Sequence, residues 1–190
     1  MQKTFILFLS FIFFIGCLNT EKQQGNSEKE YMEKGQQITA AVFSVLSSEL
    51  QNAMQNGGVE NALQYCNLNA LNIVDSLSKV HQAKIRRASD KYRNPADQPT
   101  ENESVMIAAY QYEIKEGKEI LPKVIKGNNE QYHFYAPIYV NDLCLKCHGE
   151  IGEELTQENA DLIRKYYPND MATGYTKGEF RGVWSIDFEK

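Results

Sequence analysis

The sequence predicts an α+β fold in which a long N-terminal helical layer precedes an antiparallel sheet. Apolar residues recur every three or four positions from residue 31 to residue 79, the spacing of one helix face. Between residues 132 and 140 apolar and polar residues alternate instead, which is typical of a half-buried strand. The change of period after Gly117 therefore separates a helical part from a sheet-forming part.

Two helices are expected in the N-terminal layer, over residues 31–55 and 59–79. Gly57 and Gly58 interrupt the apolar pattern between them and favour a helix end at that point. On the second helix Cys66 falls on the apolar stripe, so its thiol is expected to point inward.

The middle of the chain is expected to hold a short strand, a loop and a third helix. The strand is placed over residues 84–91, and two prolines make 94–99 a loop. The helix is placed over residues 101–116, with Gly117 as its stop. Its predicted inward face consists of Val105, Ala108, Ala109 and Tyr112.

A hairpin is expected after the third helix, with strands over 120–126 and 132–140 around a Gly127-Asn128-Asn129 turn. Pro137 cannot donate to a strand ladder, so its strand should be an edge or irregular near its end. The remaining elements are a helix over 156–166, with Thr156 as its N-cap, and a closing strand over 182–188.

The first sixteen residues have the composition of an export signal. Lys3 precedes an apolar run, residues 5–15, that is too short to cross a bilayer. The run ends in Gly16-Cys17, which resembles a bacterial lipobox, so Cys17 is expected to carry lipid; an ordinary signal peptide is the alternative. The polar, aperiodic segment 17–29 is expected to tether the lipid to a single domain, residues 30–190. The protein is then extracytoplasmic, in the periplasm or at the cell surface, and anchored to the membrane.

Charge and cysteine count limit the possible partners and sites. The formal net charge is -5 and no block of Lys and Arg occurs, so nucleic acid is not an expected partner. Four cysteines are compatible with two disulfides, one metal site or separate roles, and their spacing has to decide.

The segment Cys144-Leu145-Lys146-Cys147-His148 has the C-x-x-C-H spacing of covalent c-type haem attachment. Each thiol can bond one vinyl group of the porphyrin, and His148 is then the proximal ligand of the iron. A thioredoxin-like pair would need a βαβ unit, and a zinc site would need two more ligands. A disulfide across two residues is strained and leaves His148 without a role. One covalent haem c is therefore the expected cofactor.

The residues alone do not decide which side chain is the sixth ligand of such an iron. His133 and His81 are expected to be solvated or half-buried, and Met32 and Met54 to fill the core. Cys66 is the thiol left without a partner, but a free cysteine is also a common small buried hydrophobe. The full set of candidates is Cys66, His81, His133, Met32, Met54, Met106 and Met171.

Five segments resemble a family of bacterial extracytoplasmic c-type haem domains of unknown function, whose solved member is PAS-like with His and Cys axial ligands. The matching segments are 62–70, 84–99, 135–137, 143–149 and 178–186. The resemblance implies a PAS-like antiparallel sheet, His148 as proximal ligand and Cys66 as distal ligand. The family domain also occurs as the sensor part of kinases and chemoreceptors, so an unknown redox or signalling protein is the implied partner.

The expected function is an electron-transfer or redox- or gas-sensing role rather than catalysis, because no pair of base and nucleophile stands out. Thiolate ligation favours ferric iron and hence a low reduction potential. Arg86 and Arg87 are candidates to pair with the haem propionates, or else form a solvated basic pair. The alternative function is a haem-free, lipid-anchored PAS-like ligand-binding module.

Overall fold

The computed structural model describes residues 16–127 and 130–189, with side chains from Ser27 onward. Within that part a four-stranded antiparallel sheet and helices make up an α+β fold that begins with a long helix, so the predicted fold class is confirmed. The export signal, apart from Gly16, and the Asn128-Asn129 turn lie outside the described residues.

Helix α1 spans Gly16–His81 and contains both helices predicted for the N-terminal layer. Gly57 and Gly58 have non-helical dihedral angles and divide α1 into two segments; the φ of +67° at Gly58 suits glycine in particular. Residues 17–29, expected to be an aperiodic tether, are helical in the structure. Their Glu, Lys and Gln residues have good helix propensity even without an apolar stripe.

The described helices include none that is both long and apolar enough to span a membrane. Cys17 lies in α1, but its side chain is outside the described part of the chain.

Strand β1 (Ala83–Ala88), a 3-10 turn (Pro95–Asp97) and helix α2 (Glu101–Lys115) form the middle of the chain. The inward face predicted for α2 is wrong: Val105 and Tyr112 are exposed. The buried residues of α2 are Glu103, Met106, Ile107 and Tyr110. Three of these residues form an apolar stripe of their own, and Glu103 completes a capping box with Thr100 and binds Arg86 of β1.

The sheet has the order β1-β4-β3-β2, and every neighbouring pair is antiparallel. Strands β2 (Lys123–Lys126) and β3 (Tyr132–Tyr139) form the predicted hairpin. Strand β4 (Phe180–Phe188) lies between β1 and β3. Strand β2 pairs only with residues 132–135, so Pro137 pairs with β4 alone, just before the register shifts. Strand β3 is not an edge strand, so of the two predicted alternatives the irregularity near its end is the one that is confirmed.

Each face of the sheet packs against a different helix. The face that includes Phe134 and Ile186 packs on α1, while Tyr135 and Val183 face α2. Helix α1 approaches Phe134 so closely that a Cβ atom at Gly35 would lie 2.3 Å from the ring. Glycine at this position therefore sets the distance between the helix and the sheet.

Two short helices complete the fold beside the second segment of α1. Helix α3 spans Asp142–His148, and helix α4 spans Gln157–Tyr166 with Thr156 as its predicted N-cap. Ile163 of α4 packs against Leu63 of α1, and Cys147 of α3 contacts the same cluster. The segment of α1 that carries Cys66 is thereby placed next to the C-x-x-C-H segment.

Candidate functional site

The C-x-x-C-H residues form helix α3, an element that the sequence does not predict. Asn141 caps the helix, its side-chain oxygen accepting hydrogen bonds from the backbone N–H groups of Leu143 and Cys144. The Cys144 thiol also lies 3.2 Å from this oxygen. Cys144 and Cys147 are three positions apart on a helix, so they lie on the same side of it.

His148, the last residue of α3, is fixed by a hydrogen bond of 2.6 Å between Nδ1 and the carbonyl oxygen of Ala172. A carbonyl can only accept, so Nδ1 carries the proton. Burial, together with the charges of Arg93 and Arg181, lowers the pKa of His148 well below its usual value. The imidazole is therefore neutral at pH 7, and Nε2 carries a free lone pair, the form in which histidine binds metals.

Arg93 connects the segments around His148. Its guanidinium pairs with Asp170, with Nε 3.0 Å from Oδ1 and Nη2 3.1 Å from Oδ2. Nη2 also lies 2.6 Å from the carbonyl oxygen of Cys147 and 3.3 Å from that of Ala172. A single side chain thus joins the loop after β1, helix α3 and the loop after α4.

Two further arginines make this site cationic. Arg181 lies over the ring of Tyr175, 5.2 Å from its centre, and donates to the hydroxyl of Ser89. Tyr175 in turn has its ring edge-on to His148, at 6.4 Å between centres. Arg87 also acts electrostatically on His148. Positive charge in a partly buried site favours the binding of an anionic ligand, or of a larger ligand through an anionic group.

Cys66 lies beside this site on the second segment of α1 and is half-buried. Burial raises the pKa of its thiol, while Arg87 and Arg93 act in the opposite direction. These two arginines also act on His148, and Cys66 contributes to the raised pKa of Cys147. Cys66 therefore lies on the segment of α1 whose Leu63 packs in one cluster with Cys147, and Arg87 and Arg93 act on both Cys66 and His148.

Several other sequence candidates lie elsewhere. His133 has its Nδ1 2.6 Å from Asp187 of the neighbouring strand, and Met106 belongs to the cluster under α2. Met32 packs against the core between α1 and the sheet. Met171, by contrast, stands between Asp170 and Ala172 at the site, but its side chain is exposed. In the described ranges no group of three or more His, Cys, Asp or Glu residues is arranged to hold a metal ion directly.

The structure does not place Arg86 and Arg87 at one shared site. Arg86 lies 3.1 Å from the buried carboxylate of Glu103 and donates to the carbonyl of Gln98. Arg86 is thus an ion-pair partner of α2, which is neither of the two roles considered for it from the sequence. Successive side chains of a strand point to opposite faces, so Arg87 alone is directed toward Cys66 and His148.

Sequence reasoning did not single out the residues that hold His148. Arg93 and Arg181 stood inside matched segments without a role, and no pattern marked Asp170 or Tyr175. Ala172 acts through its backbone carbonyl, a group that every residue has, so its residue type does not reveal this contact.

A groove of about 830 Å³ runs between the second segment of α1 and β1. Leu71, Val74 and Ile85 supply its apolar lining, and Arg87 belongs both to the groove and to the site around His148.

The fold and site together define a class: an α+β protein that sets a C-x-x-C-H helix, with a fixed neutral imidazole, against a cysteine on a long N-terminal helix. The family model described as Tll0287-like matches residues 20–188, and the chain belongs to that family. The crystal structure of the cyanobacterial heme-protein Tll0287 has a similar fold, with a TM-score of 0.56 and 20% identity. The match covers 80% of this chain and 92% of that one. No curated protein matches the chain.

Proposed function

We propose that this protein is a lipid-anchored, extracytoplasmic c-type cytochrome with one haem, bonded to Cys144 and Cys147 and ligated by His148 and Cys66. The observation that carries the proposal is the Nδ1–H of His148 on the Ala172 carbonyl, which leaves Nε2 free. A second-sphere hydrogen bond of this kind orients most metal-binding histidines. Membership of a family whose solved relative is titled a heme-protein supports the same cofactor.

The thiols of α3 fit covalent attachment. Cys144 and Cys147 share one side of the helix and are free in the structure. Burial raises the pKa of Cys147, so that side chain is a thiol at neutral pH. Thioether formation adds a thiol across a vinyl group.

Cys66 fits the distal position because of its charged neighbours. An iron ligand must be the thiolate, and Arg87 and Arg93 favour that form against the effect of burial. Arg87 and Arg181 also supply positive charge for the haem propionates. The haem itself supplies reversible one-electron chemistry, and thiolate ligation favours its ferric state.

The role that follows is electron transfer, or redox or gas sensing, with an unknown redox or signalling protein as partner. Export and lipidation at Cys17 place that partner outside the cytoplasm, near the membrane. Electron transfer requires that both axial ligands stay in place on reduction. Sensing requires that Cys66 leaves, which CO binding to the reduced protein would report.

The proposal is tested by producing the full chain together with the cytochrome c maturation machinery. After acid extraction, a pyridine haemochrome spectrum should show one retained haem per chain, and Cys144→Ser with Cys147→Ser should abolish retention. Absence of retained haem in the unmodified chain would overturn the proposal. Cys66→Ala should change the ferric spectrum, and an unchanged spectrum would remove Cys66 as ligand.

The groove beside β1 supports a second candidate, the haem-free ligand-binding module. Its volume of about 830 Å³ is within the range of small-molecule sites. The haemochrome assay separates the two functions, because only the first requires retained haem.

A further inference from the structure

We infer that Arg93 is a positioning residue for His148, and that the Arg93–Asp170 pair sets the electron density on the imidazole. The inference rests on the proposed function, because that imidazole is the proximal ligand there. It assigns a role in tuning the site to two residues outside the C-x-x-C-H segment.

The positioning follows from the contacts of the guanidinium. Arg93 holds the carbonyl oxygens of both Cys147 and Ala172, which belong to different segments. The side chains of Arg93 and Asp170 are only 11% and 5% exposed, so the pair is screened from solvent. Asp170 Oδ1 also accepts the backbone N–H of Ala172 at 3.0 Å. The acceptor of the His148 proton is thus fixed from both sides.

The electronic effect follows from a shared acceptor. The Ala172 oxygen accepts from His148 Nδ1 at 2.6 Å and from Arg93 at 3.3 Å. A cation bonded to a carbonyl makes that oxygen a poorer acceptor for its second donor. The hydrogen bond from Nδ1 is therefore weaker than it would be without Arg93, and the imidazole ring is less electron-rich. A less electron-rich ligand favours ferrous iron, and a nearby positive charge acts in the same direction.

Asp170 opposes this effect. An electronic role of the pair and a purely structural one therefore predict different signs for the shift in midpoint potential when each residue is changed. The carboxylate of Asp170 offsets the charge of Arg93 at 3.0 Å. Removing Arg93 should lower the midpoint potential, whereas neutralising Asp170 should raise it. If the pair only maintained the fold, breaking it from either side would shift the potential in the same direction.

The experiment compares the midpoint potentials of the haem-loaded full chain in Arg93→Gln, Arg93→Lys and Asp170→Asn. We expect a lower potential in R93Q, an intermediate one in R93K, which keeps the charge without the two-pronged geometry, and a higher one in D170N. The amide side chain of D170N retains an oxygen for the Ala172 N–H. Arg86→Gln is the matched control, because it breaks the Arg86–Glu103 pair away from His148 and should leave the potential unchanged. Shifts of equal sign in R93Q and D170N, or no shift, would overturn the inference.

A second measurement does not need haem and covers the case in which R93Q fails to fold. In the haem-free chain, ¹⁵N NMR should show the Nδ1–H tautomer of His148 in the wild type. R93K keeps the charge but loses the two-pronged contacts that hold the Ala172 carbonyl opposite Nδ1, so the population of that tautomer should fall in R93K, while R86Q should keep it. An unchanged tautomer in R93K would contradict the positioning role. Absence of haem from the wild-type chain would instead overturn the proposed function and leave this measurement valid.

Discussion

Arg86 and Arg87 are neighbours in β1 but are paired with different carboxylates, Glu103 at 3.1 Å and Asp97 at 3.7 Å. The alternation of side chains along a strand sends one arginine toward α2 and the other toward the site of Cys66 and His148. Adjacent residues of identical chemistry thereby have different surroundings, one beneath α2 and the other near Cys66 and His148.

Arg86→Gln should lower the free energy of unfolding by about 2 to 3 kcal/mol, because Glu103 is left as an unpaired buried carboxylate. Glu103 is 3% exposed, while the side chain of Arg86 keeps 27%, so the cost should be below that of a fully buried pair. Urea unfolding measures the change. Arg87→Gln is the control and should cost less than about 1 kcal/mol, since both members of its pair are more exposed than Glu103. A larger loss in R87Q than in R86Q would contradict this division of roles.

Gly35→Ala should destabilise the protein by about 1 to 3 kcal/mol, the usual cost of overpacking a core. The sign of this change in stability is informative, because Gly→Ala inside a helix ordinarily stabilises a protein by up to about 1 kcal/mol. The added methyl group would lie 2.3 Å from the ring of Phe134, which is fully buried. Thermal unfolding of G35A and of the exposed neighbour variant Gln36→Ala gives the comparison, and a G35A protein as stable as Q36A would refute the close contact.

Raising the pH from 10 to 12 should destabilise the fold through Tyr135. Burial, with smaller contributions from Asp187 and Glu103, raises the pKa of Tyr135 from 10.0 to about 12. The folded state therefore binds this proton more tightly than the unfolded state, and stability is lost as pH rises above the unfolded pKa. Two pKa units correspond to at most about 2.7 kcal/mol.

Tyr135→Phe should flatten the pH dependence of stability between pH 10 and 12, measured by urea unfolding at each pH. Tyr112→Phe, at an exposed position of α2, should leave the slope as it is. Equal slopes in Y135F and the wild type would argue against Tyr135 as the titrating group.

Gly58→Ala should cost about 1 to 3 kcal/mol through backbone strain alone. The residue has φ +67° and ψ -159°, and no atom lies within 4 Å of the position of an added Cβ. Asn56→Ala, just before the two glycines at an exposed position, should have little effect. Chemical unfolding of both variants tests the point, and a neutral G58A would mean that the break in α1 relaxes into continuous helix.

The sequence predicts the elements of this fold better than the contacts between them. The periodicity of three and four locates α1 and its break at Gly57-Gly58, and the period of two locates β3. The face of α2 could not be found in this way, because the helix carries two apolar stripes and the buried one includes the charged Glu103, whose partner Arg86 comes from β1.

The candidate site shows the same limit. Local spacing identifies Cys144, Cys147 and His148, while Cys66 could be singled out only by elimination and resemblance. The carbonyl of Ala172, 24 residues from His148, and the guanidinium of Arg93, 54 residues from Cys147, are brought in by the tertiary fold. Contacts made through loops and backbone atoms leave no periodic signal in a sequence.

Pro137 has a consequence for how one molecule of this protein meets another at high local concentration. Beyond Tyr135, β3 has no β2 partner within the described residues, so the regular backbone ladder ends on that side of the strand. Proline lacks an N–H, so a strand of a neighbouring molecule meets a missing donor at this position. The residue that ends the regular hairpin thus also disfavours strand pairing between neighbouring molecules when the chains are crowded.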